Sequence, residues 1–468
     1  MRRTKIVCTL GPSSASKSVI KQMILAGMNV ARFNMSHGTH ESHHKLISLL
    51  KEAREELNKP VAIMIDTRGP EIRIKEFQNG FVNIKKGERF ILTTRNVLGN
   101  EQGVSVTLST FNKIVKKHDI ILLNDGLVKL EVEDTQGTEV LCKILVGGKL
   151  SNNKSINIPG VDLNLNYLSE VDKKDILFGI EEGADIFSAS FVGCAGDVIE
   201  FKKFLKKNGY EKEALVIAKI ESRKGVANMD EIIATADGVM VARGDLGVEV
   251  EFEKIPYIQK QLISRCVGAG KMVITATEML ESMIHNVRPT RAEISDIANA
   301  VLDGTSAVML SGETSAGEYP VLSVETMAKI ALECENTINY DEIHNFGYSK
   351  NVSESIGYAA CELSKSLKAK AIVVATASGF SARSVSRCRP SCEIVACTPN
   401  LKTYYQLALS WGVTPIMDRT YNDTDGLIAG AKQKAYEHKA VKKGDLIVQM
   451  ASTTAGGVGS NMILVDMV

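Results

Sequence analysis

The sequence predicts an α/β protein: a parallel (β/α)8 barrel, an all-β unit inserted after its third strand, and a separate α/β domain at its C-terminal end. Three observations carry that expectation. Eight short, β-rich apolar runs alternate with helix-like segments, and from about Ile72 to about Leu165 the helical period disappears. Past Asp341 a fresh alternation of strand and helix begins. These shifts put the barrel at 1–70 and 166–340, the inserted unit at 71–165 and the last domain at 341–468.

In chain order the barrel runs are TKIVCTLG (4–11), NVARFNMSHG (29–38), VAIMIDTRGP (61–70), DIFSASFV (185–192), LVIAKIES (215–222), GVMVARGDLG (238–247), MVITATEML (272–280) and AVMLSGETSAG (307–317). Segments such as KSVIKQMILAG between them have helical length and period. A doubly wound open sheet shares this local pattern and is the structural alternative. Within the insertion, FVNIKKGERFILTT, GVSVTLS, IILLNDGLVKLEVED and VLCKILVGGKL read as short strands joined by turn signals such as NDG and GG. An insertion there sits at the C-terminal mouth, where barrel enzymes place function. In the last region AIVVATASG, CEIVACTPN, VTPIMD, LIVQMAS and MILVDMV read as buried strands.

Bulk composition narrows the function. The 468 residues suffice for about three domains, and 24% charged with 44% apolar residues is ordinary for a globular protein. A net charge of +1 supplies no global pull toward nucleic acid or membrane. No apolar run approaches bilayer length, and MRRTKIVCTLGPSS lacks the apolar core of a secretory leader. Nine cysteines, an odd count without CxxC spacing, fit reduced thiols and a cytoplasmic location. Cys388, Cys392 and Cys397 read as packing residues.

The run VIAKIES (216–222) places Lys219 and Glu221 on one face of an apolar strand, a costly arrangement unless they pair or bind something. A structural ion pair would explain that run alone. It would not explain why reactive side chains close so many strands: Arg32 and Asn34 the second, Asp66 the third, Arg243 and Asp245 the sixth, Thr275 and Thr277 the seventh. One active-site mouth does. Glu221 and Asp245 suit a hard divalent ion, since Mg²⁺ takes only one or two carboxylates. Lys219 is placed to stabilise developing negative charge. Arg32 and Arg73 offer forks for phosphate or carboxylate. Asn34, Ser36, Asp66 and Thr67 supply oxygens for a monovalent cation, and Gly244 allows close approach of amide donors to an anion. Residues alone point to phosphoryl or enolate chemistry at a metal site.

The blocks IVCTLGPSS, ARFNMSHG, DTRGPEIR, IAKIES, MVARGDLGVE, ITATEMLESM and RPTRAEISDIANAVLDGTSAVMLSGETSAGEYP resemble the pyruvate kinase family, and the resemblance covers essentially the whole chain. It implies a TIM-type barrel and phosphoryl transfer from phosphoenolpyruvate to ADP, giving pyruvate and ATP. On these positions it implies Mg²⁺, with Mn²⁺ as the other candidate, at Glu221 and Asp245. Catalytic roles fall to Lys219, Arg32 and Thr277, with Arg32, Gly244, Asp245 and Thr277 contacting substrate. Asn34, His37, Arg73 and Lys154 would border the nucleotide, and K⁺ would sit at Asn34, Ser36, Asp66 and Thr67. The resemblance also implies K⁺ dependence through Glu71, since in the family a lysine at that position can replace the ion's charge. The family is commonly a homotetramer. In the last domain Thr376, Ser378 and Ser381 could cradle a phosphorylated allosteric effector, a simple strand-to-helix turn being the plain alternative. The loop ASTTAGGVGSN offers no cation toward it.

The sequence departs from the family pattern at Arg68, Glu278, Gly193 and Cys194; strand alternation would turn Glu278 away from the substrate. In HGTHESHH, a shared helix face for His37, His40 and His44 invites a metal reading, against which stands a solvated helix start. KKNGYEKE reads as solvated surface and TEMLESMIH as packing. The rival function is another Mg²⁺-dependent, enolate-forming barrel lyase or aldolase. It would not need Lys154 or the monovalent-cation cluster.

Overall fold

The computed structural model describes residues 2–161, 165–210, 214–340, 351–452 and 459–468. Eight parallel strands close into a barrel: β1 (Lys5–Thr9), β2 (Val30–Asn34), β3 (Ala62–Asp66), β4 (Ile186–Ala189), β5 (Leu215–Ile220), β6 (Gly238–Ala242), β7 (Met272–Ala276) and β8 (Ala307–Leu310). The hydrogen-bonded order is β1-β8-β7-β6-β5-β4-β3-β2, which excludes the open sheet. Nearly every strand residue is buried, because helices cover the outside and side chains fill the inside. The surrounding helices follow their caps. Thr39 and Ser42 form a capping box that starts His40–Glu56, whose Ile47, Leu50 and Ala53 pack inward, and Thr290 with Glu293 does the same for Arg291–Leu302.

Each strand is shorter than its apolar run and ends earlier. β5 stops at Ile220, so Glu221 lies just past the strand, and Arg243–Glu249 is a helical turn that carries Asp245 rather than an extension of β6. The residues left over are the loops of the mouth.

Between β3 and β4 lies the all-β unit. Seven strands follow the order Ile72–Arg73, Ser155–Asn157, Ile120–Leu123, Val128–Gln136, Glu139–Val146, Arg89–Thr93 and Gly103–Ser105, with a further pair, Phe81–Ile84 and Gly148–Ser151. It has its own core around Phe90, Phe111, Leu130 and Val140. Residue Ser155 pairs in register with Arg73, which sets Lys154 beside Arg73 where this unit meets the mouth.

In the C-terminal α/β domain, β9 (Ala371–Ala375), β10 (Glu393–Thr398), β11 (Val413–Met417), β12 (Leu446–Ala451) and β13 (Met462–Met467) lie in the order β11-β10-β9-β12-β13. All pairings are parallel except β12 with β13. Strand β13 was expected to be buried; it is an edge strand with Leu464, Val465 and Met467 exposed. Pro415 is tolerated because β11 forms the opposite edge. The expected boundary at 341 and positions 453–458 of the ASTTAGGVGSN loop lie outside the described residues.

The barrel floor is closed by this domain. Val7, Met64, Ile217, Met240 and Ile274 form one cluster with Tyr404, Tyr405 and Leu409. Beside them the buried Lys5 Nζ donates to the Val413 carbonyl at 2.7 Å. Among the described residues no helix is long and apolar enough to cross a membrane, and the nine cysteines are free thiols.

Candidate active site

A cleft of about 810 Å³ opens at the C-terminal mouth of the barrel under the all-β unit. Arg32, Asn34, Ser36, His37, Arg73, Lys154, Lys219, Glu221 and Asp245 all line it. Asp66 and Thr67 lie beneath, buried. Gly244 and Thr277 meet each other instead: the Gly244 amide donates to Thr277 Oγ1 at 2.8 Å, and that hydroxyl donates to the Ala276 carbonyl at 2.6 Å.

The centre is a chain of buried charges. Lys219, 8% exposed, has Nζ 2.9 Å from Glu221 Oε1 and 3.2 Å from Asp66 Oδ1, and donates to Ser190 Oγ at 2.8 Å. Arg32 sets Nε at 2.6 Å and Nη2 at 2.5 Å from the other Asp66 oxygen, and Nη1 donates to Thr9 Oγ1 at 2.8 Å. Burial alone would lower the Lys219 ammonium, but Asp66 and Glu221 outweigh it and hold it above its ordinary value. Burial likewise would raise Asp66, and Lys219 with Arg32 reverses that. Lys219 and Asp66 therefore both stay charged.

Glu221 differs. Burial pushes its carboxyl up, Lys219 pulls it back, and Asp245 adds to the rise. Its Oε2 accepts from the Phe191 amide at 2.6 Å. Its Oε1 lies near Lys219 but off any hydrogen-bonding direction, so that buried oxygen has an ion-pair neighbour and no hydrogen bond. Two acids that repel each other, one with an unsatisfied buried oxygen facing a cleft, fit a divalent cation shared between Glu221 and Asp245. No cluster of three or more His, Cys, Asp or Glu suited to a metal occurs among the described residues, which leaves an ion here to be completed by substrate and water oxygens.

The monovalent-cation residues fall on neighbouring strands, with Asn34 and Asp66 in direct register across β2 and β3. Ser36 donates its amide to Asn34 Oδ1 at 3.1 Å, and the Thr67 carbonyl accepts from Ser190 Oγ at 2.7 Å. The donor set is all oxygen with one negative charge, which suits such an ion. Opposite, Arg73 pairs with Glu71 at 2.6 Å and donates to the Asn153 carbonyl at 2.8 Å. His37 is pushed down by burial, then by Arg73, Arg32, Lys154 and Arg68, and so reports a strongly positive wall.

Several expectations need correction. Residues Thr277 and Glu278 have φ of 68° and 55°, so strand alternation does not govern Glu278, which is exposed. His37 precedes the helix that begins at His40, so the three histidines share no helix face. The helix start is solvated, with His44 exposed and His40 half-buried, and each also pairs with an acid, His40 with Asp175 at 2.6 Å and His44 with Glu182 at 2.5 Å. In KKNGYEKE, residues 206–209 are exposed as expected and only Tyr210 departs, packing against the core and donating to the Ala184 carbonyl at 2.9 Å; 211–213 lie outside the described residues. Far from the cleft, Thr376 Oγ1 accepts from the Gly379 amide at 3.0 Å, at a turn whose φ of 78° favours glycine. Ser378 Oγ accepts weakly from Phe380 at 3.5 Å, and Ser381 is buried against Ser460 at 2.8 Å.

Two contributors, Ser190 and Phe191, went unread, and Arg243, which closes the sixth strand, had no role assigned to it. Ser190 ties Lys219 to Asp66 and the Thr67 carbonyl. Phe191, at a strained φ of 53°, aims its amide at Glu221. Arg243, the first residue of the helical turn after β6, reaches the Ala276 and Thr277 carbonyls while Asp296 grips it at 2.6 Å. Ser190 and Phe191 stand at the end of DIFSASFV, the position that was informative on the other strands.

A buried ammonium, paired acids and an arginine wall at the mouth of a (β/α)8 barrel suit a phosphotransferase, a class of enzyme that works by holding charge. Comparison with known proteins narrows this further. The pyruvate kinase barrel domain model matches residues 1–324, and the pyruvate kinase alpha/beta domain model matches 354–465. The chain belongs to the pyruvate kinase family. It is 44% identical over 473 residues to the pyruvate kinase of Clostridium acetobutylicum, covering 100% of both chains. It is 45% identical over 471 residues to that of Geobacillus stearothermophilus, covering 99% of this chain and 80% of the relative. The crystal structure of a pyruvate kinase from Cryptosporidium parvum superposes with a TM-score of 0.93 at 36% identity, over 100% of this chain and 96% of the other. Kinase is thus the enzyme class, and the lyase or aldolase alternative is not favoured.

Proposed function

We propose that this chain moves the phosphoryl group of phosphoenolpyruvate to ADP, leaving pyruvate and ATP, in the cytoplasm, and that the cleft residues divide the work as follows. Arg32 turns its fork to the substrate phosphate. The Lys219 ammonium faces the phosphoryl group in flight and the enolate oxygen it leaves. The Gly244 amide and Thr277 hydroxyl exchange their mutual bond for the substrate carboxylate. Arg73 and Lys154 take the nucleotide phosphates, with Asn34 and His37 along the nucleotide's edge. Glu221 and Asp245 would hold Mg²⁺ or Mn²⁺, which when bound neutralises and orients the phosphate and carboxylate oxygens. Asn34, Ser36, Asp66 and Thr67 would hold K⁺.

The observation that carries this reading is the Lys219 ammonium, buried at the mouth and fixed from three sides at 2.9, 3.2 and 2.8 Å. Such preorganised charge is what phosphoryl transfer requires, since positioning and charge neutralisation carry most of its rate. The all-β unit, with Lys154 and Arg73 on its near edge, acts as a lid that excludes water. Limits of 1–70 with 166–340, 71–165 and 341–468 suit these three roles, and a homotetramer with a phosphorylated effector at Thr376, Ser378 and Ser381 completes the proposal. The test is ATP formation from phosphoenolpyruvate and ADP, with Mg²⁺ and K⁺ omitted in turn. Pyruvate released without matching ATP would overturn it.

A further inference from the structure

A second concentration of positive charge lies where the barrel meets the C-terminal domain. A cavity of about 20 Å³ is lined by Lys271 and Met272 at the start of β7, by Ser306 before β8, and by Arg383, Arg387, Arg389 and Ser410 of the C-terminal domain. Four cations and three hydroxyls, counting Ser386, face it, and among the described residues no acid does.

The guanidinium groups are only partly satisfied. Arg383 Nη2 donates to the Ser378 carbonyl at 2.9 Å, while its buried Nη1 has no partner. Arg387 spends Nη2 on the Gly268 carbonyl and Nη1 on Glu354 at 3.3 Å, leaving Nε. Arg389, 6% exposed and stacked 4.4 Å from the Trp411 ring, donates Nη2 to the Gly304 carbonyl at 2.8 Å; its Nε and Nη1 have none. Lys271 Nζ donates to the Ala236 carbonyl at 2.6 Å. Asp237 and Glu335 act on Arg383 and Arg389 only through space, and both are engaged elsewhere, Asp237 with Lys202 and Glu335 with the Arg3 and Thr4 amides.

Burial accordingly dominates these groups: it draws Arg389 down to about 9 and lowers Arg383 and Lys271. An arginine does not shed its proton to escape that cost, so the relief available is an anion. Planar forks and hydroxyls match the oxygens of a tetrahedral oxyanion, and the space admits a water or two or one compact anionic group.

We propose that this junction binds one oxyanion of the phosphate or sulfate class, free or as the end group of a larger phosphorylated molecule, and that the bound anion pins the C-terminal domain to the barrel. The site is separate from the cleft, and Arg383 links it to the Thr376–Ser381 turn through the Ser378 carbonyl.

The experiment soaks crystals of the full chain in selenate and follows selenate binding in solution by calorimetry. An anomalous peak among Arg383, Arg389 and Lys271, in addition to one in the cleft, is expected. Arg383→Gln and Lys271→Gln should each weaken the junction site by about tenfold or more while the cleft peak persists. Two variants are used so that misfolding of one leaves the other decisive. Competition with inorganic phosphate and with glycerol 3-phosphate separates the sources: displacement by both supports an end group, displacement by phosphate alone a free ion. A wild-type crystal with selenate in the cleft only, or junction binding unchanged in both variants, overturns the proposal.

Discussion

Replacing Lys219 with methionine isolates the charge at the centre of the cleft. The methionine keeps the volume and the burial but removes the partner 2.9 Å from Glu221 and 3.2 Å from Asp66. Asp66 retains Arg32 at 2.5 Å, so the exposed loss falls mainly on Glu221. Breaking a buried pair from one side costs about 3–5 kcal/mol when nothing else compensates. With Arg32 still on Asp66 the lower end, about 3 kcal/mol, is expected in metal-free buffer, as a lower melting temperature. Mg²⁺ at Glu221 and Asp245 should return part of it, because the cation supplies the missing positive charge. Turnover should fall by about 10³-fold or more, the scale of losing a full charge from a phosphoryl-transfer site. The assay pairs ATP formation with direct titration of Mn²⁺ binding. Metal affinity should hold or tighten as activity collapses. A fall in turnover below about tenfold, or metal affinity dropping in step with turnover, would refute the reasoning.

Three further outcomes follow from the same geometry. Exchanging K⁺ for a bulky organic cation should lower turnover roughly tenfold or more, read in the same assay; full activity would remove the monovalent site from the account. Arg243→Leu frees the Thr277 carbonyl and the left-handed pair 277–278 and should cut kcat by about 10²-fold and raise the KM for phosphoenolpyruvate more than that for ADP, a split that general destabilisation would not produce. Lys5, whose ammonium burial lowers from 10.5 to about 7, binds fewer protons folded than unfolded between those values. Stability should therefore rise with pH across that window, the full penalty being present below pH 7 and gone above 10.5. Lys5→Met, which also gives up the bond to Val413, should raise stability near pH 7 by on the order of 3 kcal/mol, with the gap closing as pH climbs; urea midpoints measured at several pH values check this.

Much of this was legible in the chain. Eight apolar runs gave eight barrel strands, because a strand buried on both faces is mostly apolar, and the reactive residues that close the second, third, fifth, sixth and seventh runs marked the mouth. Strand ends were not legible: in LVIAKIES nothing local distinguishes Ile220, the last paired residue, from Glu221, since closure by neighbouring strands decides it. Ser190, and the role of Arg243, escaped for another reason. Their roles are contacts across 29 residues to Lys219 and 34 to Thr277, which no local pattern encodes. Strand β13 looked buried because hydropathy does not report whether a neighbour lies on both sides.

The tyrosines beneath the barrel have a bearing on how the chain is made. Tyr404 and Tyr405 reach the floor only after the ribosome has released nearly the entire eight-stranded ring, whose first strand begins at Lys5. Until then Val7, Met64 and Ile274 face an open hole, and the nascent ring must wait with an unstoppered apolar base. Synthesis that pauses before residue 404 would leave that base exposed to chaperones.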